Sequence, residues 1–442
     1  MTYSIQQLAD MVQETRTHRK LYTDEEIFDL EMDRIFGKAW IFVGHESQIP
    51  KPGDYYTCNI GKQPVIMVRD KSGEIHVLFN RCTHRGAKLV NQEYGNARVF
   101  CCGYHGWTFA TDGTLMGIPH NKGYENTGFD IKDPANNMKR VPRYGDYRGF
   151  VFASLSPEGP SLEEYLGHVA TSIDNMIDRS PEGKLVMDGG VLKYDHTCNW
   201  KLFMDNLNDT THPMVAHKSV GQATKKLMAS MPKDTPPPRE AEIIFPFGSS
   251  YEFFDNMGVT ACAYGNGYSG GKTSIHADYS EIPGYLDAMY AAYGKEKTED
   301  ILSINRHNTI LYPSMTLKGA IQNIRVVRPV AVNRTIIETW HFRLVGAPDE
   351  MFQRNILYSR LINSSGSMVG PDDLECYRRI QEGVEANAGD WVDMHRNLGQ
   401  DREEEPGVMR GIGTSDLSFR NMYKAWKEYM TAPEYSEVEA AE

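Results

Sequence analysis

Two short motifs that pair a cysteine with a histidine constrain the fold of this chain more than any other feature. They are Cys82-Thr83-His84 and Cys102-Gly103-Tyr104-His105. Each motif follows a run typical of a β-strand and leads into a turn that contains glycine, so two loop tips can close on one metal centre. Two thiolates and two imidazoles suit a [2Fe–2S] cluster in which the thiolates hold one iron and the imidazoles hold the other. The same side chains also suit a structural zinc site, although zinc sites more often begin with two cysteines separated by two residues.

The chain has seven cysteines, and an odd number scattered along the sequence indicates a reducing compartment, not a disulfide framework. The N-terminal residues 1–20 mix acidic and basic side chains and contain no apolar segment of the kind that a secretory signal needs. We therefore expect a cytoplasmic protein. Four of the remaining cysteines are expected to be small buried apolar residues: Cys58, Cys198, Cys262 and Cys376.

The composition excludes two broad classes of protein. The 442 residues are 40% hydrophobic and 24% charged, as is ordinary for a globular protein with more than one domain. A formal net charge of −12 argues against a nucleic-acid-binding surface, which would be basic. No run approaches the roughly 18 consecutive apolar residues that a membrane-spanning helix requires.

A second constellation follows an apolar segment that favours a helix. Its members are Asp205, Asp209, His212 and His217. On one continuous helix the first three would share a face, and Pro213 predicts a kink or break at His212. Two neutral imidazoles and one carboxylate form the facial triad of non-haem Fe(II) oxygenases, which leaves positions open for dioxygen. This segment supplies the two histidines, and a carboxylate from elsewhere has to complete the site. The alternative is a polar helix end with two surface histidines.

The apolar pattern divides the chain into four segments. Residues 1–38 are predicted to be helical, and residues 39–156 contain short β-branched and aromatic runs between turn sequences, which predicts a compact all-β domain. Residues 157–432 combine strands and helices without βαβ alternation. This pattern predicts an α+β domain with an antiparallel sheet that carries helices on one face. The acidic tail at 433–442 is expected to be disordered.

Within the α+β domain, individual elements can be predicted from local patterns. The strand-like runs are Val191–Tyr194, Glu242–Phe245, Val259–Cys262 and Thr309–Tyr312, and a hairpin is predicted over 324–344. The helical patterns lie near 200–217, 283–294, 348–362, 372–386 and 418–430.

The two constellations together resemble a known family. Cys82-x-His84 and Cys102-x2-His105, followed by Gly106-Trp107, resemble the Rieske domain of the aromatic-ring-hydroxylating dioxygenases. The segment Asn199–His217 resembles the mononuclear iron motif of the same family's large (α) subunit. The motifs occur in the family's order, and the resemblance covers nearly the whole chain. It implies a Rieske domain at 39–156 followed by a helix-grip catalytic domain, on which the N-terminal segment packs.

The resemblance also implies the ligands of a mononuclear Fe(II) ion. These are His212 and His217 together with a carboxylate from the pair Asp372-Asp373, which opens a predicted helix. The family pattern favours the second aspartate, Asp373, with Asp372 as the alternative. Both aspartates could instead serve only to cap the helix, where carboxylates interact favourably with its dipole.

Asp209 is implied to be the electron bridge of the family. There it would accept a hydrogen bond from His212 on one side and from the cluster ligand His105 of a neighbouring subunit on the other. Such a carboxylate orients both imidazoles. A head-to-tail contact of this kind has to close, which implies a ring-shaped trimer. One departure is Thr211, which stands where the family often has tyrosine, and it bears on the shape of the pocket.

The resemblance implies the terminal oxygenase α subunit of a multicomponent system. It would use O2 and electrons from NAD(P)H, delivered by a separate reductase or ferredoxin, to hydroxylate an aromatic substrate. No Rossmann fingerprint opens a βα unit here, so the nicotinamide site is expected on another protein. Residues 20–56 resemble members that pair with a small β subunit, which favours α3β3 over α3.

Within this function, cis-dihydroxylation is favoured, and an aromatic acid is favoured over a hydrocarbon. An acid would need a basic residue in the pocket. The arginines considered for this role, each of which could equally be a surface or ion-pair residue, are Arg306, Arg325 and Arg328. The alternatives are a Rieske monooxygenase that hydroxylates or demethylates and, in a different class, an electron carrier or binding protein without oxygen chemistry.

Overall fold

The structure of the chain is a computed structural model, which describes residues 3–232, 234–271 and 282–433. The strands are β1 (Val12–Gln13), β2 (Arg16–His18), β3 (Ile41–His45), β4 (Asp54–Ile60), β5 (Gln63–Arg69), β6 (Ile75–Phe79), β7 (Tyr94–Asn96), β8 (Val99–Cys101), β9 (Thr108–Ala110), β10 (Leu115–Gly117), β11 (Arg143–Tyr147), β12 (Phe150–Ser154), β13 (Leu185–His196), β14 (Val259–Ala261), β15 (Gly267–Gly271), β16 (Asn305–Leu311), β17 (Met315–Lys318), β18 (Asn323–Ala331), β19 (Arg334–Leu344), β20 (Trp391–Asp393), β21 (Arg402–Glu405) and β22 (Val408–Gly411).

The α-helices are α1 (Ile5–Asp10), α2 (Lys20–Thr23), α3 (Glu25–Arg34), α4 (Leu162–Leu166), α5 (Ala170–Asp178), α6 (Trp200–Asn208), α7 (Pro213–Ala216), α8 (Lys218–Ser230), α9 (Arg239–Ile244), α10 (Tyr251–Met257), α11 (Tyr285–Tyr293), α12 (Lys295–Ser303), α13 (Asp349–Tyr358), α14 (Gly370–Glu385) and α15 (Leu417–Thr431). A π-helical turn, Ser359–Asn363, continues α13. Short 3-10 turns lie at Glu46–Gln48, Asn121–Tyr124, Pro134–Asn136, Gly167–Val169, Phe245–Gly248, Ala263–Gly265 and Gly319–Ile321. None of the helices in the described part of the chain has the length and apolar character needed to cross a membrane.

The chain folds into two compact units. The smaller unit consists of Phe36–Glu164 and Leu185–Asp188. The larger unit consists of Met1–Ile35, Tyr165–Lys184 and Gly189–Glu442. From residue 434 onward, the acidic tail that we expected to be disordered lies outside the described residues.

The smaller unit is built from three antiparallel sheets with the strand orders β11-β12-β3, β6-β5-β4-β7 and β10-β9-β8. Its strands are short, as the runs interrupted by turn sequences predicted. The side chains of Cys82 and Cys102 belong to one buried cluster with Trp107 and Phe109. The two cysteine motifs are therefore anchored in the apolar core of this unit.

The larger unit contains a nine-stranded antiparallel sheet with the order β13-β19-β18-β17-β16-β15-β14-β22-β21. Helices α5, α6, α13 and α15 contact its strands. The predicted hairpin is present as β18 and β19, which pair from Asn323 and His341 to Ala331 and Arg334. The predicted α+β fold with an antiparallel sheet is confirmed.

Two local predictions are wrong. Glu242–Phe245 was expected to be a strand, but it lies in α9 and the 3-10 turn that follows. A short apolar run does not distinguish a strand from a buried helical turn, and here Ile243 and Ile244 face an apolar cluster. The segment 1–38 is not helical throughout, because β1 and β2 form a hairpin whose second strand pairs with β20. A local sequence pattern cannot predict this pairing, because β20 lies more than 370 residues further along the chain.

A buried glutamate ties helix α6 to the rest of the larger unit. Glu31 in α3 accepts a hydrogen bond from the Lys201 ammonium at 2.6 Å, and both side chains are almost fully buried. The indole nitrogens of Trp200 and Trp426 donate to the same carboxylate at 2.8 and 2.6 Å. One carboxylate therefore joins α3, α6 and α15, which fixes the helix that leads into the histidine segment.

We predict that Glu31→Ala destabilises the protein by about 3–5 kcal/mol, because the Lys201 ammonium is left buried without its counter-charge. The measurement is chemical or thermal unfolding of the purified protein. The control is Glu299→Ala, which removes an exposed ion pair with Lys295 and is expected to change stability by less than about 1 kcal/mol. Equal effects of the two substitutions would contradict this role for Glu31.

Candidate active site

The histidine segment is not the continuous helix that its spacing suggested. Helix α6 ends at Asn208, and Asp209 has extended torsions (φ −95°, ψ 131°). His212 keeps helical torsions (φ −61°, ψ −31°) and caps α7. The predicted break is thus present, but it lies at Asp209 and not at His212, and Asp205, Asp209 and His212 do not share one helical face.

The position of the break follows from the carboxylate of Asp209. Its Oδ1 accepts hydrogen bonds from the backbone N–H and the hydroxyl of Thr211, at 2.6 and 2.7 Å. Its Oδ2 accepts from the backbone N–H of His212 at 3.2 Å. An aspartate that binds the following backbone in this way competes with helix formation at its own position.

Asp205 points away from the histidines. Its carboxylate accepts hydrogen bonds from the hydroxyls of Tyr22 and Tyr423, at 3.1 and 3.0 Å. Burial raises the pKa of Asp205 to about 7, against the opposing effect of the two tyrosine hydrogen bonds. Asp205 therefore helps to anchor α6 and is not part of the site.

The structure brings His212, His217 and Asp373 together. One ligand atom from each lies within 4.8 Å of the others. Asp373 Oδ1 is 3.6 Å from Nε2 of His212 and 3.3 Å from Nε2 of His217. Two imidazole nitrogens and one carboxylate oxygen that face a common point are the donor set of a non-haem iron site with open positions.

The opposite nitrogen of each imidazole is held by a second carboxylate. Nδ1–H of His212 donates to Asp209 Oδ2 at 3.1 Å, and Nδ1–H of His217 donates to Asp372 Oδ2 at 3.2 Å. This arrangement selects the tautomer in which Nε2 carries the lone pair. Both histidines are thus oriented with Nε2 toward Asp373.

The two carboxylates of the Asp372-Asp373 pair contact different nitrogens of the His217 ring. Both residues lie in the first turn of α14, but neither caps it: the capping position is Val369, which makes no side-chain capping hydrogen bond. Asp373 faces Nε2 of the imidazole, whereas Asp372 faces its Nδ1. The geometry therefore favours Asp373 as the metal-facing carboxylate.

Asn206 is a member of the site that sequence reasoning did not identify. Its amide nitrogen lies 3.1 Å from Asp373 Oδ1 and 3.3 Å from Nε2 of His212. Its partners differ from those of the adjacent Asp205, whose carboxylate is bound by two tyrosines. No local signal distinguishes the two residues, because the difference is set by the orientation of the whole helix.

The contacts within the triad shift the pKa values of Asp373 and His217 in opposite directions. Burial raises the pKa of the Asp373 carboxyl, but hydrogen bonding and charge from His217, with the charge of His212, lower it below its ordinary value. Burial lowers the pKa of His217, but its contacts with Asp373 and Asp372 raise it above its ordinary value. The site thus favours an anionic carboxylate and a cation close to it.

The triad opens into a cavity of about 840 Å³, including its mouth. Aromatic and aliphatic side chains form much of its wall, and the main ones are Phe203, Leu207, Phe247, Phe254, Ile337 and Ile362. Lys318 and Arg325 are the basic residues that line it. A cleft whose wall combines aromatic and aliphatic side chains with polar groups can hold an aromatic small molecule.

Only one of the three arginines considered from the sequence lies in this cavity. Arg328 forms an ion pair with Glu338 at 3.1 Å. Arg306 stacks over the ring of Tyr268 at 3.8 Å. Arg325 lines the cavity, together with Lys318, which the sequence did not single out.

The two cysteine motifs form loops with the same backbone pattern in the smaller unit. The N–H of Cys82 donates to Ala87 O, and Gly86 N–H donates back to Cys82 O, at 2.8 and 2.9 Å. In the second loop the N–H of Cys102 donates to Trp107 O, and the N–H of Gly106 donates to Cys102 O, at the same two distances. Gly86 and Gly106 have positive φ (76° and 73°), which favours glycine at the turn that follows each histidine.

The four side chains are arranged as a pair of cysteines and a pair of histidines. The Cys82 thiol is buried and hydrogen-bonded to Cys102; burial and this neighbour raise its pKa. The rings of His84 and His105 lie 4.7 Å apart, and Trp107 stacks on His84 at the same distance. His105 is exposed at the tip of its loop.

This arrangement distinguishes the cluster from a zinc site. In a tetrahedral zinc site all four donor atoms lie about 3.3–3.8 Å from one another. Here, within the described residues, no three of the four side chains bring a ligand atom each to within 4.8 Å of the others. Ligands held in two separate pairs fit a cluster with two irons, so the residues fit a Rieske-type [2Fe–2S] group.

Comparison with known proteins identifies both parts of the chain. Residues 39–138 match the family model of the Rieske [2Fe-2S] domain. Residues 186–432 match the model of the ring hydroxylating alpha subunit (catalytic domain).

Named relatives align over most of the chain. The alpha subunit of toluate 1,2-dioxygenase from Pseudomonas putida is 31% identical, over 94% of this chain and 91% of that protein. The large subunit of 2-halobenzoate 1,2-dioxygenase from Burkholderia cepacia is 33% identical, over 86% of this chain and 80% of that protein. The structure of naphthalene 1,2-dioxygenase from Rhodococcus sp. bound to indole has the same fold, with a TM-score of 0.78 at 24% identity over 98% of each chain.

The fold and the two sites define an oxygenase with a Rieske [2Fe–2S] cluster and a mononuclear non-haem iron as cofactors. The chain belongs to the family of ring-hydroxylating alpha subunits.

We predict that Asp373→Ala loses the mononuclear iron but keeps the cluster, because it removes the carboxylate that faces both Nε2 atoms. Asp372→Ala is the matched comparison. It leaves the triad intact and frees only Nδ1 of His217, so metal affinity should fall about 10–100-fold without being abolished. Metal analysis and the visible spectrum of the cluster measure the two sites separately. Full iron in Asp373→Ala, with iron lost in Asp372→Ala, would transfer the ligand role to Asp372.

Proposed function

We propose that the chain is the terminal oxygenase α subunit of a multicomponent system that cis-dihydroxylates an aromatic substrate, with an aromatic acid favoured over a hydrocarbon. The observation that carries this proposal is the group of His212, His217 and Asp373 at the wall of a cavity that is also lined by aromatic and aliphatic side chains. Such a donor set would leave coordination positions open on a bound iron.

In this proposal His212, His217 and Asp373 are the ligands of the mononuclear iron, and Cys82, His84, Cys102 and His105 hold the cluster. The iron supplies dioxygen activation and the cluster supplies electrons. The protein holds each imidazole by its Nδ1 proton, keeps the Asp373 carboxyl ionised, and presents aromatic and aliphatic side chains of the cavity wall to the substrate.

Asp209 is proposed to join the two kinds of site across a subunit boundary, with His105 of a neighbouring copy as its second imidazole partner. Support comes from the exposure of His105 and the partial exposure of Asp209. Each oxygen of Asp209 already accepts two hydrogen bonds within the chain. One of these four donors is the hydroxyl of Thr211, which can rotate away and free an acceptor position for the second imidazole.

This arrangement requires a ring of subunits, because each cluster loop serves the iron site of the next copy. We propose an α3β3 assembly with a small β subunit, with α3 as the alternative. The electrons would come from NAD(P)H through a separate reductase, a ferredoxin, or both. The relatives are themselves named as alpha or large subunits, which supports a multicomponent system.

The proposed reaction predicts that chemically reduced protein, given one turnover with 18O2, forms a cis-dihydrodiol that contains two labelled oxygen atoms. Chemical reduction removes the need for the partner reductase. Substrates are paired aromatic acids and hydrocarbons, and products are identified by mass spectrometry. A product with one labelled oxygen, or formaldehyde from a lost methyl group, would replace this proposal with the monooxygenase alternative.

We further predict that Asp209→Asn lowers the turnover rate by about 10–100-fold while the iron content and the cluster spectrum stay close to normal. The substitution replaces one of the two acceptor oxygens with an NH2 donor, so the side chain no longer offers an acceptor oxygen on each side. Asp205→Asn is the matched control, since Asp205 lies in the same segment but contacts tyrosines only. Normal turnover in Asp209→Asn would remove this residue from the electron path.

A further inference from the structure

Two basic side chains lie on one face of the central sheet. Lys318 ends β17 and pairs with Asn323, and Arg325 is two residues further along β18. Side chains two residues apart on a strand point to the same face, so Lys318 and Arg325 are diagonal neighbours. Both line the cavity that contains the histidine–aspartate triad.

Neither cation has an acidic partner among the described residues. Lys318 is only 4% exposed, and its ammonium lies 5.8 Å from the centre of the Tyr358 ring. The guanidinium of Arg325 lies 5.1 Å from the centre of the Phe203 ring, and its Nε is buried without an acceptor. Within the part of the chain that the structure describes, no ion pair or side-chain hydrogen bond neutralises either charge.

This lack of a counter-charge distinguishes the pair from two other buried cations of the larger unit, Lys201 and Arg328. Lys201 is paired with Glu31 at 2.6 Å, and Arg328 is paired with Glu338 at 3.1 Å. Burying a charge is costly unless the charge is paired, and two adjacent cations also repel each other. Burial and the charge of Arg325 together lower the pKa of Lys318 well below its ordinary value.

The two cations also lie within electrostatic range of the metal-facing carboxylate. The negative charge of Asp373 raises the pKa of both Lys318 and Arg325, against the larger effect of burial. Asp373 forms no direct ion pair with Lys318 or Arg325, and its Oδ1 faces two histidines instead. An anion that enters the cavity would be attracted to the basic pair and repelled by Asp373.

We propose that Lys318 and Arg325 form a carboxylate-binding subsite, and that the substrate is an aromatic carboxylate whose acid group is held by this pair. The inference rests on the proposed function, since it assigns the same cavity to the substrate. The carboxylate accepts hydrogen bonds from the ammonium and the guanidinium, and the ring is left among the apolar side chains that face the triad. The anion also supplies a counter-charge that the described residues do not provide in a direct ion pair.

The test compares 4-methylbenzoate with its uncharged analogue 4-methylbenzamide. Binding to the metal-loaded protein is measured by calorimetry, and the thermal stability of each protein is recorded without ligand. The variants are Lys318→Met and Arg325→Met, which keep an unbranched apolar side chain. The control is Arg334→Met, which removes an exposed arginine paired with Asp195 outside the cavity.

We expect the wild type to bind the carboxylate at least about tenfold more tightly than the amide. Each cavity variant should lose about 10–100-fold in carboxylate affinity, with little change in its affinity for the amide.

Without ligand, the cavity variants should unfold at the same or a higher temperature than the wild type, because each removes an unpaired buried charge. A purely structural role for the cations would instead lower the unfolding temperature and affect both ligands equally. That result, or equal binding of acid and amide to the wild type, would overturn the proposal.

The wild type and the cavity variants also allow the carboxylate-binding subsite and the proposed reaction to be tested independently. Tight carboxylate binding that depends on Lys318 and Arg325, without any oxygenated product in the single-turnover assay, would refute the reaction and retain the subsite. Oxygenation of neutral aromatic compounds, together with no preference for the carboxylate, would retain the reaction and refute the subsite.

Discussion

The site depends on two hydrogen bonds from imidazole Nδ1–H groups to carboxylates, one from His212 to Asp209 and one from His217 to Asp372. Each bond fixes both the tautomer and the direction of the Nε2 lone pair. Without them, the two rings could rotate, and the common point that they share with Asp373 would be lost. The same requirement explains the local fold, because the carboxylate of Asp209 ends α6 where a regular helix would turn His212 elsewhere.

The larger unit holds its polar groups in two contrasting ways. Around Glu31 the charges are matched, and the buried carboxylate joins three helices through Lys201 and two tryptophans. In the cavity the charges of Lys318 and Arg325 are not matched in this way, since neither residue has an acidic ion-pair partner among the described residues. The Glu31 charge is therefore neutralised within the fold, whereas the two cavity cations have no direct ion-pair partner in the described part of the chain and could be paired by a bound anion.

The sequence predicted most of the chemistry because metal ligands come as recognisable pairs. Cys82-x-His84, Cys102-x2-His105 and the two histidines 212 and 217 could be found from residue type and spacing, and Asp373 could be selected by resemblance. The antiparallel sheet and the helices near 283–294, 372–386 and 418–430 also followed from local patterns.

What could not be predicted depends on contacts between distant segments. Asn206 and Asp205 are adjacent, yet only the packing of α6 decides which of them reaches the triad. Lys318 was not singled out from the sequence, because only its register with Asn323 places it beside Arg325 in the cavity. Glu242–Phe245 was assigned to a strand because a short apolar run has no period that excludes a helix.

The central claim is that one chain holds a two-iron cluster through a pair of cysteines and a pair of histidines, and a separate single iron through His212, His217 and Asp373. The most direct measurement is the content of iron, zinc and acid-labile sulfide in the purified chain. We expect about three irons and about two sulfides per chain, with no stoichiometric zinc. Two irons and two sulfides would indicate an electron carrier without an oxygen-activating site. Zinc in place of iron would contradict the assignment of both sites.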